Sequence, residues 1–539
     1  GLLIFFLGFV LAPRYVRERL TTVPEWFERR FGPKCRLLLA LVSVAAYVLT
    51  KIAASLFAGA VLMEVVLGVS MWVSSPIILA FTALYAASGG LSAVMYTDVG
   101  QGLTFLLGGF IGACYAISEI GGLAALSRTL DMNGLSYFTS TLRPADGAEY
   151  AWTGLLIGQP ISSFWYWCVD QVIVQRVFSA KSIAHAQAGC TLAGYLKILP
   201  PFLMVIPGIV ARCLFEECQR TGGLAHTEWC ETSLDDGLHA NKAYPFLVIK
   251  TFPDGLRGLM IVSMVLAMMS SLDSVFNCVS TVCTTDLYVR FLDPGASARR
   301  QVWVGRLVTV VSAALGMSWL PMIAGSSSGL YLATQSVMTH LSPTIVGVFL
   351  LGLMWPRANG YGAMAGMLGG FALGVARYIT TIFASCGPES WASFSCMDFN
   401  HMALVLFGVS LALGVLGSLV GERFAGPQGA SDAERSTEEA EDGLSPVAHA
   451  PPLVEEPNPA TQQRLLISGV MLLFVMLVLC VGFGYAAEPS RGHGVTISGG
   501  VLASICVIGA TAIANAGMCV AEVRPRASKR AEALGVATQ

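Results

Sequence analysis

The stretch WYWCVDQVIVQR combines aromatic and polar side chains that could bind a small solute. Tyr166 and Trp167 offer aromatic faces, and Asp170, Gln171 and Arg176 follow them closely. Aromatic rings beside hydrogen-bonding groups suit a sugar, which has apolar C–H faces and polar edges. In a continuous helix, the spacing of four from Tyr166 to Asp170 would place both on one face. An aromatic belt at a membrane interface also explains the rings, but it does not explain the polar residues.

A second polar pattern lies in MVLAMMSSLDSVFNCVSTVCTTD, residues 264–286. Seven small side chains there fall within one helical arc of about 120°, and Asp273 lies just off its edge. A dehydrated Na⁺ requires hard oxygen ligands of little bulk, which such an arc supplies. Serines in membrane helices also bond their own backbone or permit close packing, so both interpretations stay open. The arc contains Ala267, Ser270, Ser271, Ser274, Asn277, Cys278 and Thr281.

Three more polar residues stand in apolar surroundings. Asp98 is predicted near the inner end of its span, where it could bind an ion, face the interface or cap a helix. Lys197 is predicted in the middle of a span, and snorkelling reaches only the span ends. A polar cavity or a partner on another helix is therefore expected for Lys197. Gln335 could line a binding pocket or cross-link helices.

The composition indicates a membrane protein. Of 539 residues, 55% are hydrophobic and only 12% are charged, whereas soluble domains carry about 25% charge. The mean hydropathy is +0.66. A net charge of −2 gives no indication of a nucleic-acid partner. The seven histidines and fourteen cysteines show no zinc or haem spacing.

The hydropathy pattern predicts twelve complete membrane helices and a partial one at 1–13, each complete span needing about 20 apolar residues. The spans are predicted at 36–68, 71–91, 98–120, 152–174, 186–214, 245–284, 302–320, 331–354, 360–381, 401–420, 463–485 and 495–521. Basic segments are predicted on the cytoplasmic side by the positive-inside rule. They are 14–36, 176–181, 290–306 and 356–358. The less basic loops at 121–150, 215–243 and 384–400 are predicted outside.

Two pairs of cysteines lie in predicted outer loops. Cys218 is near Cys230, and Cys386 is near Cys396. Each pair could form a disulfide if its loop faces an oxidising compartment, or it could remain as two free thiols.

The chain is expected to have three regions. Residues 1–420 form a transporter core, and residues 463–539 form C-terminal membrane helices with a short cytoplasmic tail. Residues 421–462 are rich in Ala, Glu, Pro and Ser and cannot bury much apolar surface, which predicts a disordered acidic cytoplasmic linker. The chain begins GLLIFFLGFV without a methionine, so further sequence is expected before it.

Several long motifs occur in order between about residue 8 and residue 420. They include VPEWFERRFG, GGLSAVMYTD, YWCVDQVIVQRVFSAKS, AGYLKILPPFLMVIPGIVAR, YPFLVIKTFPDGLRGLM and MSSLDSVFN. These motifs resemble the sodium/glucose cotransporters of the sodium/solute symporter family. The resemblance implies an all-α polytopic membrane protein of the LeuT-type fold, built from two five-helix inverted repeats with binding sites near the midplane. It also implies that the first core helix precedes residue 1.

The resemblance implies roles for the polar residues. Asp98 and Ser274 match the second sodium site of members that carry two ions, and Asp273 departs from the threonine of animal glucose carriers. Asp170, Gln171 and Arg176 match polar residues that serve gating or structure. The positions that match the main sodium site are Ala267, Ser270 and Ser271. The positions that match the sugar pocket are Ser163, Tyr166, Trp167, Lys197 and Gln335.

The expected function is sodium-coupled symport of a glucose-like hexose across the plasma membrane, with Na⁺ as the co-transported ion. No organic cofactor and no enzymatic activity are expected, and a small accessory membrane subunit is a conceivable partner. The pairing of Asp98 with Ser274 favours two sodium ions per cycle. The alternatives are symport of myo-inositol or another small organic solute, and a sodium-gated glucose sensor.

Overall fold

The computed structural model describes residues 2–139, 151–222, 229–230, 240–324, 330–383 and 394–442, with side chains up to residue 423. The chain is almost wholly helical within these ranges. The α-helices are α1 (Leu2–Phe6), α2 (Ala12–Arg17), α3 (Val23–Phe31), α4 (Pro33–Ala46), α5 (Ala53–Leu67), α6 (Met71–Glu119), α7 (Leu123–Met132), α8 (Trp152–Phe164), α9 (Gln171–Phe178), α10 (Ile183–Leu196), α11 (Ile206–Thr221), α12 (Ala243–Thr251), α13 (Asp254–Thr281), α14 (Ala298–Ala324), α15 (Leu330–Met354), α16 (Gly360–Phe383) and α17 (Phe399–Asp442).

Short 3₁₀ and π-helical segments flank several of the α-helices. A 3₁₀ turn covers Ser136–Thr139. The π-helical segments are Leu7–Leu11, Tyr47–Ile52, Trp165–Val169, Pro201–Val205 and Val282–Leu292.

Eight helical stretches in the described part of the chain are long and apolar enough to cross a membrane. They are Pro33–Leu67, Met71–Glu119, Ile183–Thr221, Asp254–Leu292, Ala298–Ala324, Leu330–Met354, Gly360–Thr381 and Phe399–Arg423. The predicted spans at 463–485 and 495–521 lie outside the described residues.

Three predicted spans have different limits in the structure. The spans at 71–91 and 98–120 both lie in α6, which consists of two helices that meet at a kink at Gly90 (φ 62°, ψ −165°), a conformation that only glycine adopts at little cost. The span at 245–284 was wrong as one helix, because the chain is extended at Phe252 and Pro253 before α13 begins. A proline disfavours helical geometry in the residue before it, here Phe252, which explains that break.

The last described helix, α17, continues past residue 420, where the sequence predicts the linker to begin. The segment after residue 420 contains several alanines and glutamates, which are strong helix formers. The rest of the predicted linker, 443–462, lies outside the described residues.

Contacts between distant segments define the two ends of the helix bundle. At one end, Arg30 donates hydrogen bonds to the carbonyls of Gly352 (2.9 Å) and Trp355 (3.0 Å). At the same end, Arg290 pairs with Glu28 at 2.6 Å. Three of the four basic segments therefore meet there, in agreement with their predicted cytoplasmic placement.

The opposite end carries contacts of the less basic loops. Lys242 pairs with Glu64 at 2.9 Å, and Asn241 accepts a hydrogen bond from the backbone of Leu330. Cys218, which lies within α11 and not in a loop, is joined to Cys230 by a disulfide. Cys386 lies outside the described residues, so its pairing with Cys396 stays a prediction.

The helix α13 lies at the centre of the predicted site and packs against α5, α6 and α14. Small residues allow close approach: Gly108 of α6 faces Ser263, and Gly112 faces Met260. Such small-residue contacts are the usual way in which membrane helices pack closely. This packing places Asp98 of α6 beside the polar arc of α13.

Candidate sodium and solute site

The helix that carries the aromatic pair breaks directly after it. Residues Trp165–Val169 form a π-helical turn, and Asp170 is extended (φ −65°, ψ 119°) before α9 begins. The Asp170 side chain accepts a hydrogen bond from the Val172 amide and so caps α9. A carboxylate at this position satisfies an otherwise unpaired amide and complements the helix dipole. The prediction that Tyr166 and Asp170 share one helix face was wrong, because the helix ends between them.

The break at Asp170 is held by a buried ion pair. Asp170 is fully buried, and its carboxylate pairs with the Lys51 ammonium group and accepts a hydrogen bond from the Tyr47 hydroxyl at 2.7 Å. The Lys51 nitrogen also lies 5.3 Å from the ring centroid of Trp165 and 5.4 Å from that of Tyr166. Cation–π contacts of this kind add to the stabilisation of a partly desolvated ammonium group.

The aromatic pair above the break forms a polar-edged surface. Tyr166 and Trp167 pack edge to face with centroids 5.1 Å apart, and Tyr166 is 39% exposed. Lys197 follows the last residue of α10, so it lies at a helix break inside the apolar stretch Ile183–Thr221, within a span as predicted. Its side chain is exposed, and its ammonium group lies 5.5 Å from the Trp167 centroid. The structure thus brings together three of the five predicted sugar residues.

The other two predicted sugar residues stand apart from these contacts. The hydroxyl of Ser163 lies 3.5 Å from Nε2 of Gln159, one turn earlier in α8. Gln335 is half-buried in α15. Among the described residues, no hydrogen bond joins either of them to Trp167 or Lys197, so their roles stay predictions.

The predicted sodium residues of α13 make three separate sets of hydrogen bonds. Ser270 donates a hydrogen bond to Oδ1 of Asp98. The exposed Ser271 donates instead to the carbonyl of the half-buried Ala267, one turn earlier in the same helix. The fully buried Asp273 accepts hydrogen bonds from the Tyr85 hydroxyl (2.5 Å) and the Ser274 hydroxyl (3.3 Å).

Two side chains of α9 tie the aromatic helix to the polar arc of α13. Arg176 donates to Asp98 (2.8 Å) and to Ser274 (2.6 Å). Gln175 donates to Thr281 at 3.0 Å. These bonds join α9 to α6 and α13, and α9 follows the aromatic pair after the break at Asp170.

A network of ion pairs lies at the end of the bundle that the basic segments predict to be cytoplasmic. Asp286, which is fully buried, accepts hydrogen bonds from Thr22 (2.7 Å) and Arg36 (2.7 Å). Arg36 also pairs with Glu28 at 2.5 Å, and Glu28 pairs with Arg290. The network joins α3 and α4 to the segment that continues α13.

Gln171, the first residue of α9, bonds to the chain at the start of α3. Its amide oxygen accepts a hydrogen bond from the Val23 backbone (2.7 Å), and its amide nitrogen donates to the Thr21 carbonyl (3.2 Å). Gln171 is buried, and its role in gating or structure stays a prediction.

Sequence reasoning missed several of these partners. Lys51 is a charge within a predicted span, and that rule alone singles it out as a residue with a function or a partner. Tyr47 and Tyr85 carry no comparable signal, because a tyrosine in an apolar run is compatible with any packed position. Asp286 is the last residue of the polar segment 264–286, but its partners Thr22 and Arg36 lie far away in the sequence.

Within the described ranges, no group of three or more His, Cys, Asp or Glu residues could hold a metal ion. Around Asp98, both carboxylate oxygens already accept hydrogen bonds, one from Arg176 and one from Ser270.

The sodium:solute symporter family matches residues 2–370 of the chain. The chain belongs to this family. The chain is 38% identical over 438 residues to sodium/glucose cotransporter 1 of Ovis aries, covering 76% of this chain and 65% of that protein. It is 38% identical over 392 residues to sodium/myo-inositol cotransporter 2 of Mus musculus, covering 70% of this chain and 58% of that protein. The chain thus spans less than two thirds of the length of these relatives.

A solved structure supports the fold. Its title describes the substrate-bound, outward-open state of a Na⁺-coupled sialic acid symporter with a novel Na⁺ site. The similarity has a TM-score of 0.62 at 20% identity and covers 78% of this chain and 82% of the solved one. The chain is therefore a multi-pass membrane protein with the LeuT-type fold, as predicted, and its described part is almost wholly α-helical. Its family is one of transporters and not of enzymes.

Proposed function

We propose that this protein is a sodium-coupled symporter that carries a glucose-like hexose across the plasma membrane by alternating access. The observation that carries the proposal is the set of hydrogen bonds between α13 and α9, the helix that follows Trp167 in the chain. The aromatic pair lies on the segment that precedes α9, and α9 is bonded to the polar arc through Arg176 and Gln175. An ion that orders α13 would therefore also order the solute surface.

The proposed solute surface consists of Tyr166, Trp167 and Lys197. The aromatic faces suit the C–H faces of a pyranose, and the ammonium group can donate hydrogen bonds to its hydroxyls. The relatives named above are cotransporters of glucose and of myo-inositol. Both substrates are polyhydroxylated rings, so they support a polyol as the substrate class. Ser163 and Gln335 are proposed as further hydrogen-bonding positions.

The proposed main sodium site is formed by Ala267, Ser270 and Ser271. A hydroxyl and a carbonyl one turn apart supply the hard oxygen ligands that Na⁺ prefers. A tenfold sodium gradient supplies about 1.4 kcal/mol per ion, and a membrane potential of about 60 mV supplies nearly the same amount. One ion can therefore support roughly 100-fold accumulation of solute.

The proposed cycle uses the network around Asp286 as the inner gate. Sodium and solute bind while this network is closed, the outer side then closes, and the network opens to release both. Movement of α3 and α4 relative to the segment after α13 would separate Thr22 and Arg36 from Asp286. This assignment fits alternating access in transporters built from inverted repeats.

Uptake of labelled glucose tests the proposal. The full-length protein in proteoliposomes should accumulate glucose only with an inward sodium gradient. Lys197→Ala should raise the KM for glucose, and Ser271→Ala should raise the sodium concentration for half-maximal uptake. The matched controls are Lys181→Ala, an exposed lysine, and Ser318→Ala, an exposed serine that bonds its own helix as Ser271 does. Sodium-independent uptake would contradict the proposal.

Two alternatives have their own outcomes. Stronger competition by myo-inositol than by glucose would favour a myo-inositol symporter, as the resemblance to such a cotransporter suggests. A glucose-evoked sodium current without accumulation would favour a sodium-gated glucose sensor.

A further inference from the structure

One guanidinium nitrogen bridges two residues that the sequence analysis assigned to a second sodium site. Nη2 of Arg176 lies 2.8 Å from Oδ2 of Asp98 and 2.6 Å from the hydroxyl oxygen of Ser274. The other terminal nitrogen, Nη1, donates to the Val172 carbonyl at 2.7 Å. The guanidinium group is therefore held from its own helix while it contacts α6 and α13. A positive charge already lies where the second ion was expected.

The carboxylate of Asp98 has donors on both oxygens. Oδ2 accepts from Arg176, and Oδ1 accepts from the Ser270 hydroxyl. Charge-assisted hydrogen bonds of this kind are stronger than neutral ones. A sodium ion at Asp98 would have to displace the guanidinium group. If both stayed side by side, the two like charges would repel each other strongly, because their surroundings are partly desolvated.

The neighbouring carboxylate does not offer an easy substitute site. Asp273 accepts from Tyr85 and from Ser274, and the Ser274 oxygen in turn accepts from Arg176. The guanidinium charge is thus one hydroxyl group away from Asp273. Its field opposes a second mobile cation there as well as at Asp98.

We propose that Arg176 is a tethered cation that takes the place of the second sodium ion between Asp98 and Ser274, so that the protein binds one sodium ion per transport cycle. The proposal rests on the proposed function, because it concerns the ion stoichiometry of that same symport. It reverses the expectation of two ions that the Asp98 and Ser274 pairing alone suggested. The consequence is an accumulation limit of roughly 100-fold instead of about 10⁴-fold under the gradient and potential given above.

Counting bound sodium tests the proposal without relying on transport. Equilibrium dialysis of the purified full-length protein with radioactive sodium should give one ion per molecule. Arg176→Gln should give two, because Asp98 is then free, and Arg306→Gln should stay at one, because Arg306 bonds only the Ala87 carbonyl among the described residues. The double variant with Asp98→Asn and Arg176→Gln should return to one.

The remaining outcomes separate the inference from the proposed function. Two ions bound by the unmodified protein would overturn the inference, and loss of one of them in Asp273→Asn would place that ion at Asp273. One ion in folded Arg176→Gln would also overturn it. If that variant does not fold, Asp98→Asn decides: the count stays at one if Arg176 occupies the site, and it falls if sodium does. No sodium bound by any form would instead contradict the proposed function.

Discussion

Lys51 and Asp170 form a buried ion pair at the point where the helix that carries Tyr166 and Trp167 breaks. The Asp170 side chain is fully buried and that of Lys51 is 16% exposed. The pair joins the π-helical turn after α4 to the start of α9. It therefore holds the chain between Trp167 and α9 against the π-helical turn Tyr47–Ile52.

Replacement of Lys51 by methionine should destabilise the protein strongly, because the buried carboxylate of Asp170 would lose its ion-pair partner. Removal of one partner of a buried pair costs about 3–5 kcal/mol. The midpoint of thermal unfolding in detergent should fall accordingly, and addition of Asp170→Asn should recover part of the loss. Lys242→Met is the matched control, since its pair with Glu64 is partly exposed and should contribute about 1 kcal/mol or less. Equal losses for both variants would argue against the buried pair.

Replacement of Trp167 by alanine should weaken solute binding, because the proposed solute surface includes its indole face. An aromatic contact is worth about 1 kcal/mol, and 1.4 kcal/mol corresponds to a tenfold change. The KM for glucose should rise about fivefold at saturating sodium. Trp303→Ala, which removes an indole that is 61% exposed on α14, should leave the KM unchanged. A similar rise in both variants would show that Trp167 does not contact the solute.

Replacement of Asp286 by asparagine should loosen the cytoplasmic gate, because Arg36 and Thr22 would lose a shared charged acceptor. Cys283, less than one turn away, should then react faster with an impermeant thiol reagent applied to the cytoplasmic side. Peptide mass spectrometry can measure that rate for this cysteine alone.

Asp293→Asn is the control for the gate experiment. Its hydrogen bond from Arg300 lowers the pKa of Asp293, so this carboxylate stays ionised at neutral pH, but the pair is on the surface. The control should leave the reaction rate of Cys283 unchanged. If Cys283 reacts at the same rate in Asp286→Asn as in the unmodified protein, the network around Asp286 is not part of the gate.

Replacement of Gly158 by alanine should disturb the helix that leads to the aromatic pair. A Cβ atom at this position would overlap the carbonyl oxygen of Asn400 in α17, and backbone cannot yield as a side chain can. We expect a loss of stability of about 1–3 kcal/mol and a lowered maximal uptake rate. Gly208→Ala is the matched control, because a Cβ at that helical position meets nothing within 4 Å. Equal thermal midpoints for the two variants would refute the close contact.

The sequence by itself determined the class of the protein and much of its local structure. Low charge and long apolar runs indicated a membrane protein, because the hydrocarbon core of a lipid bilayer accommodates such segments and water does not. The spacing of Ser270, Ser271 and Ser274 predicted a polar stripe on one helix, and α13 is continuous over all three. The ordered motifs predicted the family and therefore the fold, which the comparisons confirm.

Only the tertiary structure decided which charges are paired. Lys51 and Asp170 are 119 residues apart, and Arg176 and Asp98 are 78 residues apart. Periodicity reports the face of one helix, whereas a partner depends on how several helices cross. The break at Asp170 likewise follows from a carboxylate that caps the next helix and meets a distant lysine. For this reason the sequence suggested a vacant sodium position at Asp98, and the folded chain placed the guanidinium group of Arg176 there.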